Sequence, residues 1–177
     1  MTIQEIHQLL LERFGAEAVG TEVRAGTDPW IQVSADALVP VARCLHDDAR
    51  FQFDHLNDLC GVDYFEADEK RAAKLGIEPH VEVVYHLTSL KLRQTVKLKV
   101  SVPRWKDGQP GALPVVPSVS SVWGIANWHE REAYDLVGIE FAGHPNLRRI
   151  LCPEDWEGHA LRRDYQFPLE YHGVRGR

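Results

Sequence analysis

Residues 95–102, Thr-Val-Lys-Leu-Lys-Val-Ser-Val, put Val96, Leu98, Val100 and Val102 on one side of an extended chain and Lys97, Lys99 and Ser101 on the other. A period of two is what a strand needs when one face is buried and the other meets water; a helix would scatter the same valines around its axis. The upstream run Val-Glu-Val-Val-Tyr-His-Leu, residues 81–87, is its expected antiparallel partner across a short loop. Such a hairpin has to cover its apolar face, and amphipathic helices near both ends of the chain can do so. Thr2 and Glu5 make a capping box for the first, where Ile3, Ile6, Leu9, Leu10 and Phe14 follow at helical spacing until Gly15. A second helix is expected from about Asp36 to Asp47, with Leu38, Val41 and Leu45 on one face and Pro40 tolerated near the first turn. A third is opened by Asn127 and Glu130 and stopped by Gly138. His129, Ala133, Leu136 and Val137 share its apolar stripe, extended by Ile125 and Ala126, while Arg131 projects opposite with Glu132 and Asp135 on a flank.

Between these elements lie two short β-rich stretches, residues 19–25 and 30–34, separated by the turn Gly-Thr-Asp-Pro, and a run at 59–65 that reads as a buried strand. Residues 103–117 are rich in proline and glycine and read as a loop. After the first helix, the order β-β-α-β-β-β-α gives an α+β fold: a largely antiparallel mixed sheet with helices packed on one face, followed by an extended irregular C-terminal tail. The division expected is an α+β domain at 1–141 and an interface segment at 142–177 within the same structural unit.

The tail carries the unusual chemistry. Pro145, Pro153 and Pro168, with Gly143, Gly158, Gly173 and Gly176, interrupt it too often for long elements, yet it holds Leu147, Ile150, Leu151, Trp156, Leu161, Tyr165, Phe167 and Leu169. Residues 142–177 bear 6 basic and 5 acidic side chains, against 14 and 21 in the rest of the chain, so the tail is electrostatically distinct from the body. A net charge of −6 argues against a nucleic-acid binder, which needs a basic face. Cys44, Cys60 and Cys152 are far apart and have no CxxC spacing for zinc or an iron–sulfur cluster; reduced thiols are the expected state. The N-terminus has acids early and helical periodicity and does not read as a secretory signal, and no apolar run approaches the ~20 residues of a membrane span.

Two functional readings compete. As an enzyme, the chain would gather His129, Glu132, His144, Asp155 and His159 as metal ligands or acid–base groups, residue types suited to zinc or non-haem iron. Their spacing is wrong for an HExxH helix, and GxSxG, GxGxxG and P-loop signatures are missing. Cys152, between Leu151 and Pro153, is better explained as a buried thiol than as a nucleophile. Glu154 and Asp155 after Pro153 suit a first helical turn, and acids close behind Arg148–Arg149 and Arg162–Arg163 favour ion pairs over phosphate binding. As an interface, the same tail supplies arginines for bidentate pairing and Trp156 as an anchor.

Residues Asn127 to Tyr165, NWHEREAYDLVGIEFAGHPNLRRILCPEDWEGHALRRDY, resemble the C-terminal signature of the C subunit of bacterial respiratory complex I, the NADH-quinone oxidoreductase: an ERExYD helix, then GIxFxGHPxLRRIL, then PEDWxGHPLRKDYPL. DLCGVDYF, VEVVYHLTSLK and VPSVSSVW are similar to the family's strands and pre-helix turn, so the resemblance spans at least Asp58 to Pro168. Val137 stands where an aromatic or methionine is usual, Ala160 replaces a proline, and Gln166–Phe167 precede Pro168 as if inserted. The end at Arg177 looks like the stand-alone form of the family. The resemblance implies a non-catalytic subunit of the proton-pumping complex, bound in its peripheral arm on the cytoplasmic side of the cell inner membrane. It implies no flavin, cluster or metal in this chain, with FMN and iron–sulfur clusters held by other subunits. Partners are then the quinone-site and iron–sulfur subunits, and the expected contacts are Arg131, Glu132 and Asp135 of the helix and His144, Arg148, Arg149, Asp155, Trp156, His159, Arg162, Arg163 and Asp164 of the tail. The equivalent subunit of an NDH-type complex or energy-converting hydrogenase is the alternative within the family; a free-standing metalloenzyme using His129, His144 and His159 is the alternative outside it.

Overall fold

The computed structural model describes residues 1–20, 28–76 and 78–176. In order, the chain forms α1 (Ile3–Phe14), β1 (Ile31–Gln32), α2 (Leu38–Asp47), β2 (His55–Tyr64), α3 (Glu69–Leu75), β3 (His80–Ser89), β4 (Gln94–Pro103), a 3₁₀ turn at Lys106–Gly108, β5 (Val115–Pro117), α4 (Ala126–Val137), β6 (Glu140–Ala142), β7 (Glu170–Tyr171) and β8 (Val174–Arg175). The principal sheet has the order β1-β4-β3-β2, with β2, β3 and β4 antiparallel and β1 parallel to β4. This is the α+β fold with a mixed sheet expected from the sequence.

The period of two in β4 becomes the two faces of the sheet. Val96, Leu98 and Val100 pair with Leu87, Tyr85 and Val83 of β3, and all six are buried in the main core. Ile6 and Leu10 of α1, Leu38, Val41 and Leu45 of α2, and Ala133 and Val137 of α4 join the same core. On the other face Lys99 lies over the Trp30 ring at 4.2 Å and donates to Glu82 Oε2 at 2.8 Å, its long stem screening the sheet while its charge stays paired. Burying six such side chains, at about 1.5–3 kcal/mol each, is what holds the hairpin against its helices.

Helix α1 starts on the expected capping box, with Thr2 Oγ1 accepting from Glu5 N–H at 3.2 Å and Glu5 accepting from Thr2 N–H at 2.7 Å. The strand expected at 19–25 lies mostly outside the described residues; Val19 itself bridges Val33. The run at 59–65 is not a strand buried on both faces. It belongs to β2, which begins at His55 and forms the sheet edge, leaving Cys60, Gly61 and Val62 half-buried. Part of the expected 103–117 loop is strand β5, which pairs in parallel with β6 across α4. Helix α3 was not expected: it buries none of its residues, so it has no apolar stripe to read, and it rests on Asp68 capping Lys70 and Arg71 N–H at 2.9 and 3.2 Å.

Gly61 of β2 lies against the C-terminal end of α4. A Cβ there would meet Ile139 Cδ1 at 3.0 Å and Val137 Cβ at 3.2 Å. Gly61→Val should therefore destabilise the fold by about 1–3 kcal/mol through overpacking. A urea midpoint equal to that of the wild type would show that α4 can move off the sheet at no cost.

Candidate partner interface

Helix α4 departs from the helical-wheel expectation in two ways. It begins at Ala126, with Ile125 already in the right-handed helical region and no side-chain cap, so Asn127 and Glu130 do not open it. Glu130, Arg131 and Asp135 are also buried (0, 6 and 0 % exposed), where charge alone would have put them outside. Each is buried because it satisfies backbone groups of a neighbouring segment, a property that the apolar stripe does not report.

Asp135 is the mooring post of the tail. One carboxylate oxygen accepts from the backbone N–H groups of Ile150, Leu151 and Cys152 at 3.0, 2.7 and 2.9 Å. The other accepts from Arg149 Nη1 at 2.7 Å. Burial opposes the charge, but these donors overcome it and hold the carboxyl below its usual range. Arg149 continues outward, its Nη2 donating to Gly158 O at 2.8 Å, and Arg131 Nε donates to Arg148 O at 3.2 Å. The Leu-Arg-Arg-Ile-Leu run thus needs no regular structure of its own: α4 side chains supply the partners its peptide groups lack.

The C-terminal end of α4 is closed by the next arginine. Arg162, 6 % exposed, donates from Nε to Val137 O at 2.6 Å and from Nη2 to Gly138 O at 3.0 Å, and its guanidinium lies 4.2 Å over the Trp105 ring. A cation here meets the carbonyls and negative dipole that a helix leaves unsatisfied. Gly138 adopts φ +73°, as the sequence predicts for the stop, and a Cβ would clash with the His159 ring packed against it. His159 donates from Nδ1 to Asp135 O at 2.9 Å, and burial depresses its pKa.

A third anchor was not foreseen. Arg104 forms a bidentate pair with Asp63 of β2 at 2.8 and 2.9 Å and a second with Asp164 of the tail. Asp63 Oδ2 also accepts from Arg163 N–H at 2.9 Å. The Arg104 pairing holds the Asp164 carboxyl below its usual range. Nothing in the local sequence around Arg104 marks it, because its partners lie 41 and 60 residues away.

At the other end of α4, Glu130 reaches the segment before the helix. Its carboxylate accepts from Ser118 Oγ at 2.6 Å and Val119 N–H at 2.7 Å. His144 Nε2 is 4.0 Å away and is already engaged with Asn127 O at 3.1 Å, while His144 Nδ1 accepts from Asn146 N–H at 3.0 Å. With no arginine or lysine to neutralise it, burial pushes the Glu130 carboxyl up to about 7 against those two hydrogen bonds.

The remaining expected contact residues are Glu132, Arg148, Asp155, Trp156 and Arg163, of which Trp156 is half-buried. Glu132, Arg148, Asp155 and Arg163 are exposed. Asp155 accepts from Tyr171 Oη and pairs with His172 Nε2, both at 2.7 Å. Trp156 packs against Tyr171 and Phe167, with centroids 5.0 and 5.6 Å apart, folding β7 and β8 back over the tail. Around this hairpin Phe167, Leu169 and Val174 are 66, 89 and 71 % exposed. The histidines of the metalloenzyme reading go to separate places: His129 beside Asp58, His144 beside Asn127 and His159 beneath Gly138. Among the described residues, no three His, Cys, Asp or Glu side chains come together where a metal ion could be held. Among those residues too, no helix is long and apolar enough to cross a membrane.

Residues 31–171 match the family described as respiratory-chain NADH dehydrogenase, 30 Kd subunit. The NADH-quinone oxidoreductase C subunit of Roseiflexus sp. (strain RS-1) is 48 % identical over 143 residues, covering 81 % of this chain and 72 % of that one. The protein of the same name from Chlorobium phaeobacteroides is 41 % identical over 170 residues, covering 96 % of this chain and 92 % of that one. A chain in the structure of the membrane-bound sulfane sulfur reductase, an archaeal respiratory membrane complex, shares the fold with a TM-score of 0.55 at 22 % identity, over 86 % of this chain and 77 % of that one. The matched span takes in the sheet, the ERExYD helix and the moored tail together, and on that ground the chain belongs to the 30 kDa (C) subunit family of the respiratory-chain NADH dehydrogenase.

Proposed function

We propose that the chain is a non-catalytic subunit of a proton-pumping NADH:quinone oxidoreductase, bound in its peripheral arm on the cytoplasmic side of the inner membrane. The observation that carries this reading is the match over residues 31–171, which includes the whole principal sheet and the tail as far as Tyr171. Its partners are the subunits holding the quinone site and the adjoining iron–sulfur clusters; FMN and the clusters reside in those and other subunits, none in this one. Its role is to keep cofactor-bearing neighbours in fixed register.

The geometry supports a division of labour within the expected contact set. Arg131, Asp135, His144, Arg149, His159, Arg162 and Asp164 bond mainly to this chain's own backbone and side chains, and they act by giving the irregular tail one shape. Glu132, Arg148, Asp155 and Arg163, with the exposed Leu151, Phe167 and Leu169, present the face that meets partners, and the half-buried Trp156 supports it from within the tail. A pre-shaped tail loses less conformational freedom on docking than a flexible one, which favours a rigid assembly.

Arg148→Glu tests this directly. The side chain is exposed and only its carbonyl is used internally, so the isolated variant should melt as the wild type does. In cells lacking the native copy, it should restore far less NADH-driven quinone reduction in membranes than the wild-type chain. Full restoration would remove Arg148 from the interface. Membranes that lose no such activity when the chain is deleted would refute the function itself.

A further inference from the structure

The principal sheet ends at β2, whose outer edge pairs with no further strand among the described residues, while α4 packs beside it with Val137 against Gly61. Among the described residues, no backbone group of His55–Tyr64 bonds any backbone group except those of β3. Proteins shield such edges with lysine, proline, bulges or a covering segment, because the unpaired N–H and C=O groups invite another strand. β2 contains no lysine and no proline. Its one bulge lies near the start, between Leu56 and Asp58, and at the far end Asp63 is taken by Arg104 and the tail.

The middle of the strand borders a groove of about 220 Å³ between it and α4. Leu59 of the strand, Leu136 and Val137 of α4, and Leu161 of the tail give it an apolar lining, and Leu161 is 60 % exposed there. Asp58 on the strand and Glu132 on the helix put a carboxylate on each side, and no lysine or arginine lines it. His129 stands beside it, its Nδ1 3.6 Å from Asp58 Oδ1.

We propose that an extended segment of a partner protein adds to the β2 edge as a fifth strand. It sets an apolar side chain between Leu59, Leu136, Val137 and Leu161 and a neighbouring lysine or arginine against Asp58 and Glu132. Main-chain bonds along the edge supply the affinity of such strand addition, and the pocket and the charges supply its specificity. A second copy of this chain is the poorer occupant, because edge-to-edge pairing about a two-fold axis brings each copy's Asp58 and Glu132 toward the other's. The surface meets the partner face proposed above at Glu132; its other groups, Asp58, Leu59, Leu136, Val137 and Leu161, lie outside that face.

The test is photo-crosslinking in source-cell membranes, with p-benzoylphenylalanine at position 161 of the full chain and, as reference, at position 167 on the tail. The expected result at 161 is a crosslink that maps by mass spectrometry to an extended partner segment with an apolar residue next to lysine or arginine. Its yield should fall by about tenfold in Glu132→Lys, as an attractive charge pair becomes a repulsive one. Glu132 is exposed, so that variant should keep the wild-type melting temperature. A crosslink to a second copy, or to an acidic segment, overturns the proposal. So does capture at 167 with none at 161. Capture at neither position overturns both this proposal and the assignment to a multisubunit complex.

Discussion

Asp135→Ala should cost about 3–5 kcal/mol and release the tail from α4, because it strands Arg149 and three peptide N–H groups at once. Hydrogen exchange separates the local effect from the global one. Amides of Ile150, Leu151 and Cys152 should lose protection by a much larger factor than those of β3 and β4, which share no bond with Asp135. Asp135→Asn should recover only part of the loss, since its single carbonyl oxygen cannot satisfy four donors and its amide nitrogen faces more donors. Because the folded pKa of Asp135 is depressed, its contribution is present above the unfolded value near 3.9 and lost as pH falls through the folded value. Protection of 150–152 should therefore vanish in acid before the sheet unfolds. Unchanged exchange at these amides in Asp135→Ala would contradict the mooring.

The opposite pH dependence is expected from Glu130. Its folded pKa of about 7 lies above the usual carboxylate value of 4.5, so the folded chain holds a proton that the unfolded chain releases. Stability from this group is complete below the unfolded value and declines as pH rises through the folded one, by about 3 kcal/mol in all. Glu130→Gln should abolish that decline. Its carbonyl oxygen can accept from Val119 N–H, and its amide can donate to Ser118 Oγ, which is free to turn its proton toward Ser120 Oγ 2.7 Å away. His159, with its depressed pKa, works in the reverse sense over part of the same range, so the informative quantity is wild type minus Glu130→Gln. Urea midpoints at pH 5 and pH 8 should show the variant gaining on the wild type at the higher pH. A difference that does not change with pH would mean that Glu130 is ionised throughout.

These two carboxylates mark where the sequence stops being legible. The β3–β4 hairpin can be read because a buried face and a wet face impose a period of two, and α1 because its capping box is local. The parallel pairing of β5 with β6 cannot, since each strand has three residues and they meet only across a helix. Helix α3 leaves no trace because it buries nothing. For the tail, the sequence shows which side chains carry charge but not whose peptide groups they satisfy. A helical wheel weighs hydrophobicity, so it puts Arg131 outside, where the structure buries it against Arg148 O. Ser118 lies in the pre-helix turn with no role that its neighbours reveal; its hydroxyl bonds Glu130. Spacing of 12 residues across a turn gives no periodic signal for that bond. The family resemblance finds the segment that matters, whereas only the fold separates the residues that shape the tail from those left facing outward.

Membership in an NADH-oxidising complex is tested by tagging this chain in its native cells, extracting the membranes with mild detergent, and measuring flavin, iron, sulfide and NADH:quinone activity in what co-purifies. The expected result is a large assembly that contains FMN and iron–sulfur clusters and oxidises NADH. Recovery of the chain alone, or of an assembly that does not oxidise NADH, would contradict that membership.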